Sequence, residues 1–247
     1  FMSIDRHLLF NRLETFLKKK YREQDAPILL ELCRKTIFYD PPGNCIIRGS
    51  KTDWKGLPPD KSLFHSASGC GLPIGNLTSQ VFANFYLNPL DHFVKHSLGV
   101  RYYGRYVDDM VFVHREKEFL KNLVGDVRRF LSEEMKITMH DRKIYLQHCE
   151  KGVKFLGVII KPHRKYIARR TRGNFHQAIV RQNTLAEDHK PGKEERSRFL
   201  AVMNSYLGVL GHYNTYRLRR KMLLETLSPR WQGKIMVKQD CLKVGLL

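Results

Sequence analysis

Apolar residues recur at helical spacing in four stretches of the first 135 residues. Ser3 stands where a helix cap is expected, and the first helix is predicted to follow it. The second helix is predicted over residues 28–38. Thr78 is a suitable cap for the third helix, within which Pro89 predicts a kink or a restart. The fourth helix is predicted over residues 116–135, with one apolar face that would cover a sheet.

Short β-rich runs separate and follow these helices. Residues 100–107 and 110–114 abut with only Asp108 and Asp109 between them, which predicts a β-hairpin with a two-residue acidic tip. One earlier run and three later runs are also typical of strands, namely residues 45–48, 136–139, 153–161 and 165–168.

The pattern changes character near Ala168. From Arg169 onward it is helical and very basic, and no further strand is predicted. These features predict an α+β fold in two parts, a mixed part over residues 1–168 and a helical part over residues 169–247. The long segment over residues 40–75 is rich in Gly, Pro, Ser and Asp, and such segments are usually functional or disordered.

The charge balance of the chain is strongly basic. Its 247 residues include 44 Lys and Arg against 24 Asp and Glu, a formal net charge of +20, and the pI is about 9.9. A polyanion is therefore the expected partner, with nucleic acid as the first choice. The alternative is a ribosome-associated or merely cationic protein.

Other ligands and compartments have weaker support. The five cysteines lack C-x-x-C spacing, which argues against a zinc knuckle and a disulfide framework and favours a reducing compartment. His92 and His96 are four apart, but no third zinc ligand is evident. No apolar run approaches the ~20 residues that span a bilayer, and no signal segment is recognisable. We expect a soluble, cytoplasmic protein without a membrane partner.

Asp108 and Asp109 are the strongest candidates for catalysis. Side chains alternate between faces along a strand, so neighbouring carboxylates can serve one site only where the strand ends, as at a hairpin tip. Their mutual repulsion is tolerable when divalent cations neutralise it, and carboxylate oxygens suit Mg²⁺. Two bound Mg²⁺ ions would support phosphoryl transfer. The alternative is an ordinary acidic turn.

Two further segments contain glycine at positions where the backbone could approach a ligand closely. Residues 71–80 form a Gly- and Pro-rich loop that runs into the third helix, where the helix N-terminus favours phosphate. A loop that only caps the helix is the alternative. Phe155, Leu156 and Gly157 are predicted within a strand, where glycine permits another backbone to pass close by.

Together, in this order and spacing, these elements resemble a reverse transcriptase. The sequences of the motifs are similar to those of the type found in diversity-generating retroelements. The resemblance covers nearly the whole chain. It implies a palm, an antiparallel sheet with packed helices, over residues 1–168 and a helical thumb over residues 169–247. The matching residues are 1–5, 47–50, 56–58, 61–64, 71–80, 105–109, 143, 155–157, 204–208 and 213–216.

The resemblance also implies roles for the candidate residues. Asp108 and Asp109 would hold two catalytic Mg²⁺ ions, and Lys143 would approach the triphosphate of the incoming nucleotide. The residues that would bracket this nucleotide and the template base are Gly71, Pro73, Ile74, Gly75, Ser79 and Gln80. The residues that would grip the primer strand are Phe155, Leu156 and Gly157.

The implied partners are an RNA template, a DNA primer with its growing cDNA, and deoxynucleoside triphosphates. The diversity-generating type also implies a small basic accessory protein and a bacterial or phage setting. The thumb would clamp the template–primer duplex through its phosphates. At least one of Arg217, Arg219 and Arg220 is expected to contact the nucleic-acid backbone.

Two departures from the common family pattern bear on the subtype. Most reverse transcriptases carry Gln where Ile74 stands and Pro where Gln80 stands. An apolar residue at Ile74 is typical of the diversity-generating type, whose copying is error-prone at template adenines, and the loss of an amide contact offers a physical reason. A group II intron or retron enzyme is the alternative.

The first catalytic Asp of the family lies a few residues before the counterpart of Phe1. We therefore expect the third carboxylate upstream of Phe1, the fingers and first palm strand to be missing, and this N-terminally truncated fragment to be inactive alone. Asp5 is interpreted as a helix-start residue and not as a substitute ligand. A catalytically silent, basic nucleic-acid-binding module is the competing hypothesis.

Overall fold

The computed structural model describes residues 1–189 and 191–247. Contacts divide the chain into two units, Phe1–Tyr145 and Leu146–Leu247, and each unit has a hydrophobic core of its own. Residues 146–168 thus group with the helices that follow them. The assignment of palm and thumb to the two sides of residue 168 stays a prediction, whereas the mixture of helices with small antiparallel sheets confirms the α+β class.

Helices and one hairpin build the first unit. The helices are α1 (Arg6–Lys20), α2 (Ala26–Phe38), α3 (Leu77–His92) and α4 (Lys117–Met135). Strands β1 (Tyr102–Tyr106) and β2 (Asp109–Val113) pair antiparallel. Helix α3 runs through Pro89 without a restart and ends in a π-helical turn, Phe93–Ser97. Short 3-10 helices lie at Lys51–Trp54, Pro59–Lys61, Leu63–His65 and Asp141–Lys143.

Both predicted helix caps are displaced by two residues. Helix α1 is capped by Asp5, whose Oδ1 accepts a hydrogen bond from Leu8 N at 2.8 Å. The prediction of Ser3 as cap is therefore wrong, and the interpretation of Asp5 as a helix-start residue is confirmed. Helix α3 begins after Asn76, so Thr78 lies inside its first turn.

The core of the first unit follows the apolar face of α4. Every fourth residue of this helix is buried, as the periodicity predicted. Phe130 of α4 stacks on Phe93 with ring centroids 4.3 Å apart. The inner face of the hairpin, with Tyr103 and Phe112, packs against the same core. The buried α4 residues are Leu123, Val127, Leu131 and Met135.

Side chains from α1 and α3 hold the C-terminal end of α4. Arg12 Nη2 donates to Glu134 O at 2.7 Å, and Tyr86 Oη donates to Met135 O at 2.6 Å. Burial raises the pKa of the Tyr86 hydroxyl to about 12. The last carbonyls of a helix lack partners within it, so these donors stabilise the helix end.

Two predicted strands are absent. Residues 136–139 form no strand, because Lys136 takes a left-handed conformation (φ 51°) and ends α4. Residues 45–48 are irregular and Ile46 points into solvent, so their apolar character does not reflect sheet packing. None of the helices in the described residues is long and apolar enough to cross a membrane.

The second unit begins with a three-stranded antiparallel sheet. Its order is β3 (Val153–Phe155), β4 (Val158–Lys161) and β5 (Arg164–Ile167), preceded by a 3-10 turn at Cys149–Lys151. Helices α5 (Arg169–Asp188), α6 (Lys193–Gly211), α7 (Tyr216–Lys221) and α8 (Pro229–Gln232) follow, with a π-helical turn at Met222–Thr226.

A hairpin at the end of the chain was not predicted. Strands β6 (Ile235–Lys238) and β7 (Lys243–Leu246) pair antiparallel, so the expectation that β-structure ends at residue 168 is wrong. Ile235 and Val244 bury their side chains in the helical core. The Asn204 amide satisfies both backbone groups of Val244, at 3.0 and 2.9 Å, where a neighbouring strand would otherwise be needed.

Candidate active site

The turn between β1 and β2 lies one residue earlier than predicted. Tyr106 pairs with Asp109, so the two turn residues are Val107 and Asp108, and Asp109 is the first residue of β2. The prediction of a tip made of both aspartates is therefore corrected. The register follows from the buried face, because a slip of one residue would move every inward side chain to the solvent.

The two carboxylates lie on the solvent side of this hairpin. Tyr103 and Arg105 face inward and are partly buried, whereas Tyr106 and its partner Asp109 are exposed. Asp108 is exposed as well. Neither Asp108 nor Asp109 forms an ion pair within the described part of the chain. Adjacent carboxylates that are free of protein cations remain open to an external cation.

The donor set of Asp108 and Asp109 fits Mg²⁺. Both groups offer hard oxygen ligands, and Mg²⁺ commonly takes one or two carboxylates and completes its octahedral shell with water and substrate phosphates. Across residues 1–189 and 191–247, no group of three or more His, Cys, Asp or Glu side chains is placed to hold a metal ion. The expectation of a third carboxylate upstream of Phe1 stays a prediction.

Asp5 is committed to other contacts. Its Oδ1 caps α1, and its Oδ2 pairs with Lys136 Nζ at 2.7 Å. Burial raises the pKa of Asp5, but the hydrogen bonds from Lys136 and from Leu8 N outweigh burial and hold this pKa below its ordinary value. Asp5 is thus an ionised structural residue with both oxygens engaged.

The turn that contains Asp108 is strained at Val107. Val107 has a φ of 55°, in the left-handed region that β-branched residues rarely adopt. Such a conformation costs about 1–3 kcal/mol and persists only where surrounding contacts hold it. The position of Asp108 therefore depends on whatever restrains Val107.

Residues 71–80 divide into buried and exposed members. Gly71 is buried, with a φ of 95°, and a Cβ there would lie 2.7 Å from Leu63 Cδ2. Its N–H donates to Ile4 O at 2.8 Å and its carbonyl accepts from Arg6 Nε at 2.7 Å. Gly71 therefore fixes the loop to the start of the chain. The exposed members of the predicted set are Ile74, Gly75 and Gln80.

Pro73 and Ser79 line a pocket of about 310 Å³ between this loop and α2. Lys35 and Tyr39 of α2 line the same pocket, and sequence reasoning did not select them. Their pattern is that of an ordinary helix, which carries no signal of ligand contact. Lys143 is exposed at the end of its 3-10 helix and makes no ion pair among the described residues.

The predicted primer-grip residues form a turn and not a strand interior. Phe155 pairs with Val158, and Leu156 and Gly157 connect β3 to β4. Both connecting residues have positive φ, 50° and 81°, as the favoured two-residue hairpin turns of this class require. Gly157 O accepts from Ala168 N at 3.1 Å, which fixes one side of the turn, while Leu156 is half-exposed.

The second unit carries most of the excess positive charge. Residues 146–247 include 21 Lys and Arg against 7 Asp and Glu, a surplus of 14 out of the chain's +20. Arg217 and Arg220 are exposed, but Arg219 is buried and donates to Thr215 Oγ1 at 3.0 Å and Asp240 O at 3.4 Å. Arg219 is thus a structural residue, and Arg217 and Arg220 remain the candidates for contact with the nucleic-acid backbone.

Comparison with known proteins identifies the family. A search of curated proteins gave no match. A family model described as reverse transcriptase (RNA-dependent DNA polymerase) matches residues 1–160. This range contains the Gly- and Pro-rich loop, both aspartates, Lys143 and the turn between β3 and β4. The match spans more than half of the 247 residues, and the chain therefore belongs to the reverse transcriptase family, the RNA-directed DNA polymerases.

Proposed function

We propose that the chain carries the catalytic hairpin of an RNA-directed DNA polymerase that copies RNA into cDNA by two-metal nucleotidyl transfer. The family membership supports the reaction class. The observation that carries the mechanism is the pair of exposed carboxylates, Asp108 and Asp109, free of protein cations at a strained hairpin turn. They would hold Mg²⁺ together with a carboxylate from outside the described residues.

The reaction joins the primer 3′ oxygen to the α-phosphorus of a deoxynucleoside triphosphate and releases pyrophosphate. When bound, Mg²⁺ would lower the pKa of the primer hydroxyl and neutralise charge on the leaving phosphates. Asp108 and Asp109 provide the negative oxygens for the ions. Lys143 would approach the triphosphate as a cation, and the turn at Leu156 and Gly157 would contact the primer strand.

The exposed residues at the start of α3 are proposed to bracket the nucleotide and template base. Ile74 and Gly75 precede the helix and Gln80 lies in its second turn, all three open to solvent. A helix N-terminus also favours the phosphates of a nucleotide. Gly71 would act indirectly, by fixing the loop.

The template–primer duplex is the proposed partner of the second unit. Its surplus of 14 positive charges includes exposed Arg169, Arg170 and Arg172 at the start of α5. Cations that neutralise phosphates release counterions from the nucleic acid, so binding should weaken steeply as salt rises. A catalytically silent binding module would show the same salt dependence, and binding alone does not separate the two functions.

Metal removal tests the proposed activity. In the longest polypeptide that the gene encodes, extension of a DNA primer on an RNA template is expected to fall by on the order of a hundredfold or more with EDTA, because Mg²⁺ supplies charge stabilisation that protein groups do not replace. Excess Mg²⁺ should restore it. Extension is measured by gel, with duplex binding as the control. Duplex binding without any extension in Mg²⁺ would favour the silent module.

A diversity-generating retroelement is the proposed subtype. Ile74 is 67% exposed in the loop before α3, where it presents an apolar side chain in place of the amide of most reverse transcriptases. We also propose a small basic accessory protein as partner, and this proposal rests on the subtype alone. Near-identical template and variable repeats beside the gene, differing at adenines, would separate this subtype from a group II intron or retron enzyme.

The Ile74→Gln variant tests the subtype. A regained amide contact of ~0.5–1.5 kcal/mol is expected to lower misincorporation opposite template adenines by about 2- to 10-fold. The measurement is sequencing of cDNA made on an RNA template of known sequence. Val81→Gln, at an exposed apolar position on α3 outside the loop, is the matched control and should leave the error spectrum unchanged. An unchanged adenine error rate in Ile74→Gln would count against the subtype.

A further inference from the structure

One side chain reaches the strained turn from within β1. Arg105 Nη1 donates to the carbonyl oxygen of Val107 at 2.9 Å. Val107 is the residue with a φ of 55°, and Asp108 follows it directly. A hydrogen bond to this carbonyl fixes the peptide that links Val107 to Asp108. Arg105 thus contacts the backbone directly before Asp108.

The rest of the Arg105 guanidinium is anchored on α3. Its Nε and Nη2 donate to the two oxygens of Asp91 at 2.8 and 2.6 Å, which makes a bidentate ion pair. Its Nη1 also lies 3.2 Å from Asn84 Oδ1. The Arg105 side chain is 10% exposed and the Asp91 side chain 30%. The guanidinium thus connects a core helix to the catalytic turn.

Asp91 is restrained in turn by Tyr103, whose hydroxyl donates to Asp91 Oδ1 at 2.8 Å. Burial raises the pKa of Asp91, but the hydrogen bonds from Arg105 and Tyr103 outweigh burial and hold this pKa below its ordinary value. The carboxylate therefore stays ionised and keeps its hold on the guanidinium. Asp91, Tyr103 and Arg105 form one connected network, which we call the α3 anchor.

Only arginine has the geometry that this network uses. Its planar guanidinium can bind a carboxylate through two nitrogens and still donate from the third. A lysine ammonium has a similar charge but is a single point that cannot span both sites.

We propose that Arg105 and Asp91 are positioning residues, which hold the strained Val107 turn and thereby set the placement of Asp108 relative to Asp109. The proposal rests on the proposed role of these two aspartates as Mg²⁺ ligands. The α3 anchor touches neither metal nor substrate and acts through the backbone of the turn. Loss of the anchor should therefore change the metal dependence of the reaction, and not only its maximal rate.

The Arg105→Lys variant of the full-length polypeptide is the principal test. It retains a cation beside Asp91 but loses the bond to the turn. Contacts that orient metal ligands typically contribute 10- to 100-fold to metal affinity or activity, so we expect kcat to fall by about that factor and the half-saturating Mg²⁺ concentration to rise several-fold. The Kd for the template–primer duplex should be unchanged. Arg101→Lys, at an exposed arginine just before β1, is the matched control.

Two further variants guard against a folding defect. Tyr103→Phe removes one hydrogen bond to Asp91 without leaving a buried charge unpaired, and is expected to raise the Mg²⁺ requirement in the same direction by a smaller factor. Val107→Gly accepts positive φ without strain, so in the Arg105→Lys background it should recover part of the lost kcat. Circular dichroism and Tm report on folding in each case.

The outcomes separate the two proposals. An Arg105→Lys enzyme with unchanged Mg²⁺ dependence would overturn the positioning role, whether its kcat is normal or falls only in step with Tm. Full activity in Asp108→Asn would instead overturn the metal-ligand function on which the positioning role rests. Inactive Asp108→Asn together with normal Arg105→Lys and Tyr103→Phe would reject the α3 anchor alone.

Discussion

Replacing Asp108 or Asp109 with Asn is expected to reduce RNA-templated primer extension by on the order of a thousandfold or more, as for residues that act as one catalytic unit. Asparagine keeps the shape of the side chain but offers a neutral oxygen, which binds Mg²⁺ far more weakly than a carboxylate. The measurement is steady-state extension of a DNA primer on RNA in saturating Mg²⁺.

Folding and duplex binding should survive either substitution. Both carboxylates are exposed and form no ion pair in the described part of the chain, so either substitution breaks no ion pair and removes one negative charge from the hairpin. We expect an unchanged or slightly raised Tm. Asp60→Asn, at another exposed Asp of the first unit, is the matched control and should keep full activity. More than a tenth of wild-type activity in Asp108→Asn or Asp109→Asn would contradict the assignment.

The Trp231→Ala substitution is expected to lower the free energy of unfolding of the second unit by about 3–5 kcal/mol, the usual cost of removing a large buried aromatic. Trp231 is 1% exposed and stacks on Phe199 with ring centroids 4.0 Å apart. Its Nε1 also donates to Gln182 O at 2.8 Å. One residue thus joins α8 to α5 and α6, and its loss leaves a cavity and removes the indole hydrogen bond to α5.

Hydrogen exchange gives the clearest measurement of this effect. Amides of α5 and α6 should lose protection by roughly two to four orders of magnitude, since 1.4 kcal/mol corresponds to a factor of ten. Amides of α4, in the core of the first unit, serve as an internal reference. Tyr216→Ala, at a half-exposed aromatic, should stay within about 0.5 kcal/mol of the wild type. A loss below about 1 kcal/mol in Trp231→Ala would contradict the packing argument.

Periodicity predicted those parts of the fold that depend on one buried face. Helix α4 agrees with its predicted range to within one residue, because its apolar residues recur every four positions. The hairpin before it was also predicted. Its turn was not, because that turn requires positive φ at Val107, which a β-branched residue disfavours. Asp is favoured in turns and Val is not, so residue type alone favoured a turn at Asp108 and Asp109 over one at Val107 and Asp108.

Contacts between residues that are distant in sequence left no signal in the pattern. The β6–β7 hairpin depends on Asn204 to satisfy the backbone of Val244, which lies 40 residues later. Arg219 looks like any member of a basic helix, yet the structure buries it against Asp240 O. Neither burial nor the choice of partner follows from residue type alone.

The candidate site was predicted as a set of residues but not as an arrangement. Family resemblance selected Gly71 and Ser79 along with Ile74, although the structure buries the first two and exposes the third. Arg105 was recognised only as a neighbour of the aspartates. Its partner Asp91 lies 14 residues earlier on α3, where sequence pattern indicates no more than a polar helix position.

Some residues that bind the C-terminal end of α4 are translated long before that end of the helix. Arg12 precedes its acceptor Glu134 by 122 residues, and Asp5 precedes Lys136 by 131. At ribosomal rates of ~5–20 residues per second, that separation corresponds to roughly 6 to 26 seconds of synthesis. During this interval α1 lacks its contacts with the end of α4. The core of the first unit can therefore form completely only after residue 136 has been translated.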